Sequence, residues 1–130
     1  MTVESWLRDY AQAWERKDAD AAAALFTEDC VYLEMPFDEA YMGREGVNRY
    51  WSGVTATQEN VRVRTGDPVV SSDQRRAAAE FWVTMENAGA AVTLTGILFL
   101  RFSHDGLCAE LREAWHFAEG TIEPSQTWGT

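Results

Sequence analysis

The chain has 130 residues, 46% of them hydrophobic and 25% charged. That fits one soluble globular domain and excludes both a second domain and extended disorder. The 21 acidic residues against 11 basic ones leave a net charge of −10, a surface that repels nucleic-acid phosphates and anionic lipid.

The first residues follow helical spacing. Trp6, Leu7, Tyr10, Ala11 and Trp14 form an apolar stripe, with Glu4, Arg8, Asp9, Glu15 and Arg16 around it. Trp6 falls at the outer end of that stripe. A second helix is predicted in KDADAAAALFTED, where Asp18 can cap and the alanine run favours helix. Leu25 and Phe26 would close its apolar face. CVYLEM then reads as a strand, with Cys30, Tyr32 and Glu34 on one side. A loop with Pro36, Asp38 and Glu39 follows. REGVNRYWSGV predicts a third helix on Val47, Tyr50, Trp51 and Val54, with Gly53 as its stop.

Four strands are predicted beyond it, near 60–71, 76–87, 91–103 and 108–117, joined by SSDQ, NAGA and SHDG turns. Residues 118–130 form an irregular tail of a single domain spanning 1–130. Three helices before a run of strands is an α+β pattern. Twist would curl the antiparallel sheet over the helices into a cone with an internal pocket.

Strand alternation sorts the faces. Inward go Phe81, Val83 and Met85, then Val92, Leu94, Gly96, Leu98, Leu100 and Phe102, then Leu111, Glu113, Trp115 and Phe117. The outer face carries Glu80, Trp82, Glu86, Arg101 and Arg112, with Arg112 expected to pair with Glu80 or Glu86. The predicted cavity is lined by Tyr10, Trp14, Tyr32, Phe37, Met42, Trp51, Leu98 and Trp115. Glu34 and Glu113 are its convergent carboxylates. Burial beside aromatic rings and a second acid raise a carboxylate's pKa, which suits acid/base chemistry near neutral pH.

The segments AWERKDADAAAALFTEDCVYLE, GREGVNRYW and LRFSHDGLCAELREAWHF resemble the nuclear transport factor 2-like superfamily, and within it the SnoaL-like group of small bacterial proteins. The resemblance implies a cystatin-like cone and a homodimer through the outer sheet face, here Glu80, Trp82, Arg101 and Arg112. Its members include ketosteroid isomerase, polyketide cyclases, limonene-epoxide hydrolase, dehydratases and non-catalytic binding proteins, so the fold does not name a reaction. Beside ketosteroid isomerase, Tyr10 falls at the oxyanion-hole tyrosine and Glu34 at the general base. Leu98 stands where the second oxyanion donor would be, and loss of such a donor removes about 3 kcal/mol of transition-state stabilisation. No arginine faces inward, which disfavours the Asp–Arg–Asp chemistry of the epoxide hydrolase.

The expected function is a pocket for a small apolar, polyketide-like or steroid-like molecule. It would be worked as a cofactor-independent isomerase, cyclase or dehydratase: Glu34 the base, Glu113 the acid, Tyr10 a hydrogen-bond donor. The alternatives are a ligand carrier with the same pocket and a dimerisation module. No metal site, cofactor, nucleic acid or membrane partner is expected. His104 lies in a turn and His116 on the outer face, so neither serves a catalytic triad. Cys30 and Cys108 are expected as buried free thiols. With no secretion signal and no long apolar run, a cytoplasmic location is expected.

Overall fold

The computed structural model describes residues 2–130. Helix α1 (Val3–Glu15) opens with a capping box in which Thr2 and Ser5 satisfy each other's backbone N–H groups. Its buried stripe is Val3, Trp6, Leu7, Tyr10, Ala13 and Trp14. Helix α2 (Ala19–Ala23) is a short turn capped by Asp18, whose side chain accepts from the Ala21 N–H. Strand β1 (Phe26–Leu33) starts earlier than the composition suggests. Phe26 therefore belongs to the sheet and not to the second helix. A two-residue strand, β2 (Tyr41–Met42), lies in the predicted loop, and helix α3 (Gly43–Thr55) runs through Gly53.

The remaining strands are β3 (Gln58–Thr65), β4 (Val69–Val70), β5 (Arg76–Asn87), β6 (Ala90–Phe102) and β7 (Cys108–Glu119). The last strand thus takes the first two residues of the predicted tail. Sheet order is β2-β1-β7-β6-β5-β3, with β4 also on β5, and the sheet curls without closing. It is mixed: β1 lies parallel to β7, the Cys108 N–H donating to the Leu25 carbonyl. The other pairings are antiparallel. Side-chain alternation is the same in both directions, so it cannot reveal that junction. Register shifts near Phe26, Glu59 and Arg101 help the strands bend around the helices.

Trp6 is fully buried rather than at an outer end. It stacks on Tyr10, meets Phe26 and Phe102 edge-on, and donates its indole N–H to the Leu25 carbonyl at 2.8 Å. The helical stripe placed Trp6 correctly on α1. The cover comes from Phe26 on β1 and from Phe102 on the returning strand β6.

Gly96 faces Trp115 across β6 and β7. A Cβ there would collide with the Ala114 carbonyl and the Trp115 backbone. Gly96→Ala is expected to cost about 2 kcal/mol or more, measured by urea denaturation. A loss under roughly 0.5 kcal/mol would mean that the two strands part freely.

The tail crosses the outer face. Thr93 bonds to Gly120 and Ile122, the Trp82 indole donates to the Ile122 carbonyl, Trp128 packs edge-on against Trp82, and the Gly129 N–H reaches Glu80. Glu80 and Trp82 are thereby covered. Ile97 and Phe99 stay open, with the Arg76 and Arg112 guanidinium groups over the Phe99 ring. Arg112 is opposite Phe99 and pairs with Glu110, so it reaches neither Glu80 nor Glu86, which lie one strand further on. Cys30 and Cys108 are buried free thiols. Among the described residues no helix is long and apolar enough to cross a membrane.

Candidate functional site

The concave side of β5, β6 and β7 meets α3 and the end of α1 around a cavity of about 450 Å³, within the range of small-molecule sites. Trp14 comes from α1, Tyr50 and Trp51 from α3, Phe81 from β5, Trp115 and Phe117 from β7. Two carboxylates share this wall, Glu34 just past β1 and Glu113 on β7. Among the described residues no Lys, Arg or His lines it. A wider groove of about 660 Å³ beside α2 and α3 carries Arg44 and Arg49 but is shallow and open to solvent.

The carboxylates differ in their partners. The Trp115 indole N–H donates to Glu34 Oε2 at 2.9 Å. Glu113 accepts a long contact, 3.4 Å, from the Tyr32 hydroxyl, which stands 3.0 Å from the Tyr10 hydroxyl. Since Tyr32 donates to Glu113, Tyr10 donates to Tyr32. Burial first, then the charge of Glu34, raises Glu113 to about 8 against the downward pull of the Tyr32 bond. At neutral pH Glu113 therefore keeps its proton. Burial first, then the charge of Glu113, pushes the phenols of Tyr10, Tyr32 and Tyr50 up, so they stay neutral donors.

A stability consequence follows. The folded chain holds the Glu113 proton to about pH 8, whereas an unfolded carboxyl loses it near 4.5. Between those values the folded state binds more protons, so stability is greatest below the lower one and falls as pH rises through the upper one. The slope is at most about 1.4 kcal/mol per pH unit. Glu113→Gln is expected to flatten it in urea titrations from pH 5 to 9. An unchanged slope would place the proton elsewhere.

The structure brings Trp14, Trp51, Trp115, Glu34 and Glu113 to one cavity. Tyr10, Tyr32 and Leu98 lie buried behind its wall and do not line it. Tyr10 reaches Glu113 only through Tyr32. Phe37 is 98% exposed and Met42 59% exposed, both outside. Strand β1 ends at Leu33, before either of them. In β2, Tyr41 is opposite Tyr32 and packs toward it, which turns Met42 to the Val31 side. Phe37 sits in the bend after Pro36 with no strand partner.

The wall also holds residues outside the predicted lining, among them Tyr50, Gln58, Phe81, Met85 and Phe117. Phe81 and Met85 are on the wall, as their inward alternation could have indicated. Gln58 had no signal in the sequence. Its side-chain carbonyl accepts the Trp14 indole N–H at 2.9 Å. The Trp51 indole N–H is buried without a partner. Among the described residues no three His, Cys, Asp or Glu side chains converge as metal ligands.

A family model described as a SnoaL-like domain matches residues 7–111. No curated protein matches the chain. Among solved structures the fold is similar to the epoxide hydrolase/cyclase-like enzyme SalBIII of pyran ring formation in the polyether salinomycin, with TM-score 0.78, 16% identity, and 89% of this chain and 94% of that one covered. A Catenulispora acidiphila protein with a ketosteroid isomerase-like fold, in complex with trimethylamine, gives 0.71 and 22%, covering 88% and 86%. A Mycobacterium tuberculosis protein in complex with estradiol-17beta-hemisuccinate gives 0.75 and 17%, covering 88% and 96%. At these identities the likeness is one of fold.

Proposed function

The chain belongs to the SnoaL-like domain family, and from that premise we propose that its cavity binds a small, largely apolar molecule and moves protons on it. Glu34 is the base and Glu113 the acid of an isomerase, cyclase or dehydratase reaction. One observation carries this reading: two carboxylates in one aromatic cavity, of which Glu113 keeps its proton at neutral pH. An ionised carboxylate opposite a protonated carboxyl is the arrangement that removes one proton while delivering another. Tyr10 acts as a positioning residue, holding Tyr32 against Glu113.

The ligands of the structural neighbours, a steroid ester and a small amine, support a cavity for compact organic molecules. A second reading is a carrier with the same pocket. It is favoured by the Trp115 bond, which occupies one oxygen of Glu34. Pairing of two copies through the part of the outer face that the tail leaves open, Ile97, Phe99, Arg101 and Arg112, belongs to the same proposal. Light scattering on the wild type and on Phe99→Glu tests it, a monomer in both cases ending it.

Thermal-shift screening against small alcohols, ketones and epoxides tests the pocket itself. Hits are expected to raise the melting temperature of the wild type and not of Leu94→Trp, which fills the cavity from β6. A panel without a single shift would remove both readings. Hits on which the purified protein catalyses no reaction would leave the carrier.

A further inference from the structure

We infer that the cavity selects for positive charge: its preferred occupants are small organic cations, a protonated or quaternary amine on an apolar frame, seated between Glu34 and Glu113 against the aromatic faces. This rests on the cavity being a ligand site and adds the charge of the ligand.

The lining holds two carboxylates and no cationic side chain. The arginines seen in ion pairs make them outside, Arg44 with Glu28, Arg64 with Glu123, and Arg101 and Arg112 with Glu110. The charge of Glu34 thus has no counter-charge on its own wall. The rest of the wall includes six aromatic rings. Ring faces are negative and attract cations, most strongly where water is excluded.

The same wall is poor for an anion. The Trp14 and Trp115 N–H groups already donate to Gln58 and Glu34, and the Tyr32 hydroxyl to Glu113. Across β6 the residue paired with Glu113 is Leu98, which donates nothing. The Trp51 indole N–H is buried without a partner, and Tyr50, Gln58 and Asn87 bring further neutral donors to the wall. None of these carries a charge to offset two carboxylates.

Glu113 faces Glu34 from the end of β1, Tyr32 from β1, Tyr50 from α3 and Tyr10 from α1. None of these supplies positive charge. Burial and the charge of Glu34 together hold the Glu113 proton; a cation seated between the acids offsets that charge and favours the ionised carboxylate, so proton release accompanies its arrival. The same transfer occurs in a dehydration. Glu113 gives its proton to a leaving hydroxyl and the C–O bonding pair goes to oxygen as water departs. Glu34 takes a proton from the adjacent carbon, whose C–H pair becomes the double bond. Positive charge rises on carbon in front of the rings, whereas an enolate route would put negative charge there. An ammonium ligand imitates the first state and not the second.

Isothermal calorimetry on the full chain at pH 7 tests this with three probes of similar size: benzyltrimethylammonium, benzyl alcohol and benzoate. The quaternary ammonium cannot titrate, so any proton released comes from the protein. It should bind about tenfold or more tighter than the alcohol, with benzoate undetected. Buffers of different ionisation enthalpy should reveal release of up to one proton per ammonium bound. Glu113→Gln should abolish the release, and Glu34→Gln should lower ammonium affinity to that of the alcohol.

Equal affinities for ammonium and alcohol, or tighter binding of benzoate, would overturn the charge selectivity while leaving the pocket intact. Failure of all three probes to bind would overturn the pocket and the selectivity together. The wild-type series decides even if a variant does not fold.

Discussion

Glu34→Gln and Glu113→Gln should each lower turnover by roughly 10²–10⁴-fold, the usual contribution of a positioned acid or base, once the screen has supplied a substrate. Glutamine keeps the shape of each side chain and the hydrogen bonds its carbonyl can accept from Trp115 or Tyr32. It cannot exchange a proton. The loss should therefore appear in kcat with a smaller change in KM. The wild-type rate should fall on the alkaline side near pH 8, where Glu113 loses its proton. Glutamine at 113 should remove that limb together with the rate. Tyr10→Phe leaves the ring and deletes the hydroxyl that holds Tyr32, so a smaller loss with a displaced alkaline limb is expected. If both glutamine variants retain wild-type turnover and ligand affinity, the acid/base assignment is wrong.

The second large effect concerns stability. Trp6→Ala should destabilise the fold by about 3–5 kcal/mol, as expected when a large buried ring is truncated. The residue is fully buried against Tyr10, Phe26 and Phe102. Removing its indole also takes one of the two donors of the Leu25 carbonyl at the point where β1 begins, leaving the Cys108 N–H. Domains of this kind have a total stability of about 5–15 kcal/mol, so the loss takes a large share of it. Trp6→Phe keeps a ring and loses the bond, and should cost about 1–2 kcal/mol. Urea denaturation measures both. A Trp6→Ala loss below about 1 kcal/mol would show that the ring is not packed as described.

The way Trp6 and Phe37 were read illustrates what a sequence carries. Periodicity is a local property, so it identified the helix faces, the four long strands and the side of β7 on which Glu113 and Trp115 lie. It located both acids because each alternates with buried apolar neighbours. It could not tell that β1 and β7 run parallel, since pairing direction depends on two distant segments. It misjudged Trp6 because part of the cover over that ring comes from β6, some ninety residues later in the chain. Phe37 and Met42 are misjudged because no periodicity reaches them: Phe37 lies in a bend and Met42 in a two-residue strand. Gln58 carried no pattern at all, and its importance arises only from the indole that it meets.

The parallel junction also bears on how the chain is made. Synthesis releases β1 early, yet the strand that completes its long edge is the last to emerge, its Cys108 N–H meeting the Leu25 carbonyl. Until then the long edge of β1 has no strand to pair with. Contacts this distant in sequence slow folding and expose apolar surface to aggregation. The cone can therefore close only after β7 has left the exit tunnel. A ribosome stalled before residue 108 would hold a nascent chain that is a client for chaperones rather than a folded intermediate.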